Sequence, residues 1–120
     1  MRNMSFMLTT EQIRNRTKTV TRRVGWWFLK PGDLIQAVEK SQGLKKGETV
    51  TRLAVLRVEH VTRDPLNSIT PQDVHREGFP QMTREQFIKM FKATHRGCRV
   101  GTVVTRIQFT YVEPSGETRS

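Results

Sequence analysis

The chain has 120 residues, of which 21 are Lys or Arg and 11 are Asp or Glu, giving a formal net charge of +10 and a sequence pI of about 10.9. The length fits one domain and excludes a second one with its own core. The charge surplus favours a polyanionic partner, nucleic acid before a membrane, because no segment is long and apolar enough to span a bilayer. Solubility is the other use of such a charge.

We expect one domain formed by residues 1–112, followed by a flexible tail at 113–120 that carries no apolar residue. The apolar run at 4–8 is too short for the core of a signal peptide, and Cys98 as the only cysteine excludes an internal disulfide. These features predict a cytoplasmic, reducing setting.

The N-terminal half predicts a short helix and then strands. Thr9 and Gln12 have the spacing of a capping box, which favours a helix over residues 9–15. Residues 17–24 are rich in β-branched side chains and predict a strand. Further turn and strand patterns predict a type II turn at 30–33, a strand at 34–38 and a loop at 41–48.

The C-terminal half predicts a long strand, two helices and a last strand. Residues 51–62 are apolar on both faces at their centre, which favours a strand buried on two sides. Thr70 before Pro71, and Thr83 with capping-box spacing, each predict the start of a helix. The second helix has a core-facing stripe of Phe87, Met90, Phe91 and Thr94, and the alternation at 103–111 predicts the last strand.

These elements predict an α+β fold in which a small mixed β-barrel is flanked by two to three helices. Three blocks of the sequence resemble the ASCH domain family: Lys-Thr-Val-Thr-Arg-Arg at 18–23, Lys-Pro-Gly-Asp at 30–33 and Val-His-Arg-Glu-Gly-Phe at 74–79. Their order and spacing match over about residues 5–111. The small phage-type ASCH proteins are the most similar in appearance. The resemblance implies a PUA-like barrel that handles RNA or a nucleoside ligand.

The family signature is Gly, any residue, Lys, two of any, Glu, any residue, Arg. Lys18 and Arg23 fill the Lys and Arg positions, whereas Arg16 stands for the Gly and Thr21 for the Glu. The Thr variant resembles bacterial ASCH amidohydrolases that deacetylate N4-acetylcytidine, whose catalytic Lys, Thr and Glu correspond to Lys18, Thr21 and Glu77. ASCH proteins also include non-catalytic RNA-binding modules and ribonucleases, so these two functions stay open.

Amide hydrolysis needs a nucleophile, a base and donors for the oxyanion. Thr21 can supply the hydroxyl, Lys18 can act as base if burial lowers its pKa, and Glu77 can orient Lys18 or protonate the leaving amine. Residues three apart in a regular strand face opposite sides, so the chemistry requires a break between Lys18 and Thr21. A regular strand leaves a phosphate-binding edge that includes Arg22 and Arg23.

Two aromatic residues and the histidines complete the candidate site. Trp26 and Trp27 are adjacent, so in an extended chain one faces the core while the other can stack on a base. His75 lies two residues before Glu77 and is predicted to border the ligand. A zinc site can be considered from the histidines and Cys98, but their spacing fits no standard motif, and we predict neither a metal nor another cofactor. His60 is expected to be a barrel residue.

Overall fold

The computed structural model describes residues 1–40 and 47–113. In chain order the elements are strand β1 (Arg2–Ser5), a 3-10 helix (Met7–Thr9), helix α1 (Thr10–Arg14), strands β2 (Val20–Arg23), β3 (Leu34–Val38) and β4 (Arg52–Pro65), a second 3-10 helix (Leu66–Ser68), helices α2 (Pro71–Arg76) and α3 (Arg84–Thr94), and strand β5 (Val103–Val112). Most of the predicted loop at 41–48 and the predicted tail after residue 113 lie outside the described residues.

The strands form one mixed sheet in the order β1-β3-β4-β5-β2. Only β1 and β3 pair in parallel, and the remaining neighbours are antiparallel. The register between β4 and β5 shifts between Val58 and His60, and a bulge of this kind bends a strand and increases its twist. The sheet curls into a half-barrel with helices against it, which confirms the predicted α+β architecture.

The buried apolar side chains form two separate clusters. The larger one lies against the sheet and contains Met4, Phe6, Ile13, Leu29, Ile35, Ala37, Leu56, Val58, Ile107 and Phe109. The smaller one joins α2 and α3 to the start of β5 and contains Leu66, Ile69, Val74, Phe87, Ile88, Phe91 and Val104. Each cluster is contiguous, so the boundary between them is the natural place for a cleft.

Two predicted helix starts are confirmed in atomic detail. The Thr70 hydroxyl accepts a hydrogen bond from the Asp73 amide at 3.1 Å, with Pro71 as the first helical residue. Thr83 and Gln86 exchange both bonds of a capping box, at 3.1 and 2.8 Å. These motifs depend on residues within one helical turn, and for that reason they can be predicted locally.

The capping box predicted for α1 is wrong, although the helix exists. The Thr9 side chain makes no capping bond. The Thr9 amide, which the Gln12 side chain would accept from in a capping box, donates instead to the Phe6 carbonyl at 3.0 Å in the preceding 3-10 helix. The side-chain Nε2 of Gln12 instead donates to the Gly78 carbonyl at 3.1 Å, which joins α1 to the segment after α2. A distant partner has therefore replaced the local one.

The prediction that β4 is buried on both faces is also wrong. Leu56 and Val58 are fully buried, but Arg57 between them is exposed. Helices α2 and α3 pack on the beginning of β5, through Val104, and Arg57 at the centre of β4 is left exposed. None of the helices within the described ranges has the length and apolar character needed to cross a membrane.

Candidate active site in the cleft between the two core clusters

The chain turns at Arg16, just before it reaches Lys18 and β2. Arg16 has a left-handed backbone with φ of 62°, and the Lys18 amide donates to the Gln12 carbonyl at 3.3 Å. The strand consequently begins at Val20 and not at residue 17 as predicted. Lys18 lies outside the regular strand and Thr21 inside it, and the two side chains line the same cleft.

Lys18 and Glu77 form a buried ion pair. The Lys18 ammonium donates to the Glu77 carboxylate oxygen Oε1 at 2.8 Å and to the Glu77 main-chain carbonyl at 2.7 Å. The two residues are 2% and 3% exposed. Burial lowers the pKa of Lys18 from its ordinary value, and the charge and hydrogen bond of Glu77 oppose that shift. The Tyr111 hydroxyl fixes the backbone at this point by donating to the Lys18 carbonyl at 2.6 Å.

Asp73 holds three arginines around the end of this pair. The register of β2 and β5 sets Arg22 directly opposite Arg106, a like-charge pair that needs an anion between its members. The Asp73 carboxylate accepts from Arg22 at 2.7 Å, from Arg106 at 2.6 and 3.0 Å and from Arg76 at 2.9 Å. Arg22 also donates to Glu77 at 3.3 Å, which joins the two buried carboxylates into one network.

Asp73 is not among the site residues that the sequence predicts. Its position, in the first turn of a helix, explains an acid there without any further role. Burial raises the pKa of Asp73, but hydrogen bonds from Arg106, Arg22 and Arg76 outweigh it and hold the pKa well below its usual range. Arg106 belongs to the polar face of the predicted last strand, and only the register with β2 gives it an arginine neighbour.

Thr21 is held by Arg23. The Arg23 Nε donates to the Thr21 hydroxyl oxygen at 3.1 Å, and its guanidinium carbon lies 4.6 Å from the centre of the Phe6 ring. Burial lowers the pKa of Arg23 to about 10, with the Glu77 charge opposing the shift, so the side chain is cationic at neutral pH. Because the Thr21 oxygen accepts from Arg23, the hydroxyl proton is directed to another acceptor.

The cleft has a volume of about 770 Å³ and runs along the boundary between the two clusters. This size falls in the range of small-molecule sites. The apolar part of its lining consists of Phe6, Met7, Leu8, Val24, Trp26, Phe79, Phe87, Met90 and Phe91. Ionic groups and aromatic side chains therefore line the same cleft, a combination that suits a flat polar ring. Of these apolar side chains, only that of Trp26 is predicted from the sequence to contact a ligand.

The two tryptophans do not lie in extended chain as predicted. Gly25 and Trp26 have φ of 81° and 59°, so the backbone turns at this point. Trp26 is half-buried, packs against the larger cluster and lines the cleft. Trp27 is 64% exposed and is absent from the lining of the cleft.

The histidines are dispersed. His75 is exposed on α2 and lines a separate groove together with Thr19 and Arg76, so the structure does not bring it to Lys18. His60 is exposed at the bulge of β4, contrary to the expectation of a barrel residue. His95 stacks on Phe91 at 3.8 Å and lines the cleft. Within residues 1–40 and 47–113, no three His, Cys, Asp or Glu side chains are grouped to hold a metal ion.

Gly78 is expected to be essential for the position of Lys18. Its φ is +98°, and a Cβ at this residue would lie 2.8 Å from the Gln12 Cγ and 3.5 Å from the Lys18 Cβ. We expect Gly78→Ala to lower the free energy of unfolding by about 2–4 kcal/mol, the sum of a left-handed alanine and overpacking. Urea unfolding measures the change.

The control for this prediction is Gly97→Ala. Gly97 has a φ of +80° but nothing within 4 Å of an added Cβ, so this variant isolates the backbone cost. A loss of about 1 kcal/mol is expected there. Equal losses in the two variants would contradict a role for the close contact at Gly78.

Solved structures of other proteins share the fold. An ASCH domain from Lactobacillus crispatus JV V101 matches with a TM-score of 0.63 and 12% identity over 92% of this chain and 78% of the other. An Enterococcus faecalis V583 protein assigned to DUF984 matches with a TM-score of 0.61 and 15% identity over 88% of this chain and 67% of the other. The hypothetical protein PH0355 matches with a TM-score of 0.63 and 14% identity over 92% of this chain and 96% of the other. No protein-family model and no curated protein sequence matches the chain.

Proposed function

We propose that this chain, which has the fold of an ASCH domain, binds a cytidine-type nucleoside in its cleft and hydrolyses an N4-acetyl amide. The observation that carries the proposal is the buried Lys18–Glu77 pair in the same cleft as the Thr21 hydroxyl. A nucleophile, a group that takes its proton and a group that protonates the leaving amine are what the reaction needs.

Lys18 and Glu77 together can transfer both protons that the reaction requires, the one lost by the Thr21 hydroxyl and the one gained by the leaving amine. Transfer of a proton from the Lys18 ammonium to Glu77 gives a neutral amine and a carboxylic acid, and burial favours this neutral form. The Thr21 oxygen then attacks the acetyl carbon while its proton passes to Lys18. Glu77 returns its proton to the departing exocyclic amine, which leaves acetyl-threonine and free cytidine.

The same pair serves the second half of the reaction. After a second proton transfer from Lys18 to Glu77, water attacks the acetyl-threonine carbon and gives its proton to Lys18. Glu77 protonates the departing Thr21 oxygen, and acetic acid is released. Arg23, which donates to Thr21 at 3.1 Å, supplies positive charge beside the oxyanion in both halves.

A second candidate is nucleic-acid binding without chemistry. It is favoured by the exposed cations on α3 and in the turn after it, next to the cleft: Lys89, Lys92, Arg96 and Arg99. Such a surface can follow a phosphate backbone, and its affinity falls steeply with salt. In that case the Lys18–Glu77 pair is a structural link between β2 and α2.

The test is hydrolysis of N4-acetylcytidine by the purified protein. We expect cytidine and acetate to appear in equal amounts over several turnovers, measured by chromatography. RNA binding measured across a salt series tests the second candidate. Failure to release cytidine at an enzyme concentration equal to that of the substrate would rule out the amidohydrolase.

A further inference from the structure

The cations that line the cleft outnumber its anions. Lys18, Arg22, Arg23 and Lys40 line it together with one carboxylate, that of Glu77. The other buried carboxylate, Asp73, is occupied by three arginines. The cleft therefore carries more positive charge than its own side chains neutralise.

Arg23 and Lys40 account for that surplus. Within the described ranges neither side chain has a carboxylate within ion-pair distance, whereas Lys18 and Arg22 each do. The Arg23 guanidinium is fixed by the Phe6 ring and by its Nε bond to Thr21, which leaves its two Nη groups as donors beside the cleft. Two fixed donors on a planar cation match two oxygens of a phosphate.

The fold brings Lys40 to the same end of the cleft. The Phe6 amide donates to the Val38 carbonyl at 2.8 Å, and the Ser5 hydroxyl donates to the Glu39 carbonyl at 3.1 Å. The end of β3 therefore runs beside Phe6, the residue on which Arg23 rests. Lys40 follows directly and lines the cleft from that side.

We propose that the cleft prefers a nucleoside phosphate to a neutral nucleoside, with the phosphate bound by Arg23 and Lys40. The inference rests on the proposed function because it takes the ligand to be a nucleoside unit. The phosphate belongs either to a mononucleotide or to a phosphodiester of RNA, since the two present the same oxygens to these cations.

Binding of unacetylated ligands tests this without requiring turnover. We expect calorimetry at low salt to show that cytidine 5′-monophosphate or a short cytidine oligonucleotide binds at least about tenfold more tightly than cytidine. Preference for the mononucleotide alone assigns a free nucleotide as ligand, and preference for the oligonucleotide assigns RNA. Equal affinity for all three ligands would overturn the inference.

Matched variants locate the phosphate site. Arg23→Gln and Lys40→Met are each expected to reduce the preference for the phosphorylated ligand. For Lys40→Met, which leaves Thr21 and its contacts intact, the affinity for cytidine should change less than threefold. Arg57→Gln and Lys30→Met remove exposed cations outside the cleft and should leave the preference intact. A preference that survives Arg23→Gln and Lys40→Met alike would also overturn the inference.

The two proposals fail in different ways. Tighter binding of the phosphorylated ligands without hydrolysis of any acetylated one refutes the amidohydrolase and leaves the phosphate site standing. Hydrolysis of acetylcytidine with no preference for phosphate refutes the site and leaves the amidohydrolase standing.

Discussion

Thr21→Val is expected to abolish hydrolysis of N4-acetylcytidine, with a loss of rate on the order of 10³-fold or more, because valine has nearly the shape of threonine but no nucleophile. Thr21→Ser restores the hydroxyl on the same strand and should recover a measurable part of the activity. The measurement is the rate of cytidine release at saturating substrate, with thermal unfolding followed in parallel to show that each variant is folded.

Thr19→Val is the matched control. Thr19 precedes β2 by one residue, and it lines the separate groove and not the cleft. The same substitution there should change the rate less than threefold. If Thr21→Val keeps the rate of the unmodified protein, a water molecule and not Thr21 attacks the substrate, and the covalent mechanism is excluded.

Asp73→Asn is expected to have the largest effect on stability. Asp73 is 5% exposed and lies between the opposed side chains of Arg22 and Arg106. Loss of its charge leaves the buried Arg22 opposite the partly buried Arg106 without their shared anion, which costs about 3–5 kcal/mol of unfolding free energy. Urea unfolding measures the loss.

A loss of that size approaches the whole stability of a small domain. A second change therefore keeps the prediction testable. Adding Arg106→Leu to Asp73→Asn removes one of the opposed cations and should recover part of the lost stability. Asp33→Asn is the control, because Asp33 is exposed and accepts from the Lys30 amide in a surface turn, and less than about 0.5 kcal/mol is expected there. Equal losses at the two aspartates would contradict the role of Asp73.

The Asp73 carboxylate is also expected to make the protein less stable at acid pH. The pKa of Asp73 is held below its usual range in the folded protein, so its stabilisation is fully present above its unfolded pKa of about 3.9 and is lost as the pH falls below that value. The unfolding free energy of the unmodified protein should drop below about pH 4, and that of Asp73→Asn should drop less. Parallel curves for the two proteins would show that Asp73 does not contribute to this loss of stability.

Sequence and structure agree best where a motif depends only on residues close together in the chain. The Thr70 and Thr83 helix starts and the turn before β3 each depend on residues within a few positions, and all are confirmed. The α1 capping box has an equally good local pattern, yet Gln12 bonds Gly78 instead. The Gln12 side chain bonds a distant residue because the Thr9 amide, its local partner in a capping box, already donates within the 3-10 helix before α1.

The Lys-Thr-Val-Thr-Arg-Arg segment shows the same division. Its composition and its resemblance to the ASCH signature determined, without coordinates, that Lys18, Thr21 and Glu77 were the residues to consider. The sequence also determined the condition for their chemistry, a break in the strand between Lys18 and Thr21, since alternation in a strand depends on chain geometry alone.

Only the tertiary structure decided which arginines pair with which buried carboxylates. Arg22 and Arg106 are 84 positions apart in the chain, and only the pairing of β2 with β5 sets them opposite each other. That pairing draws in Asp73, occupies one buried carboxylate with three arginines and leaves Arg23 without an ion-pair partner among the described residues. The physical reason is that a charge acts through space, so its partner is fixed by register and packing and not by position in the sequence.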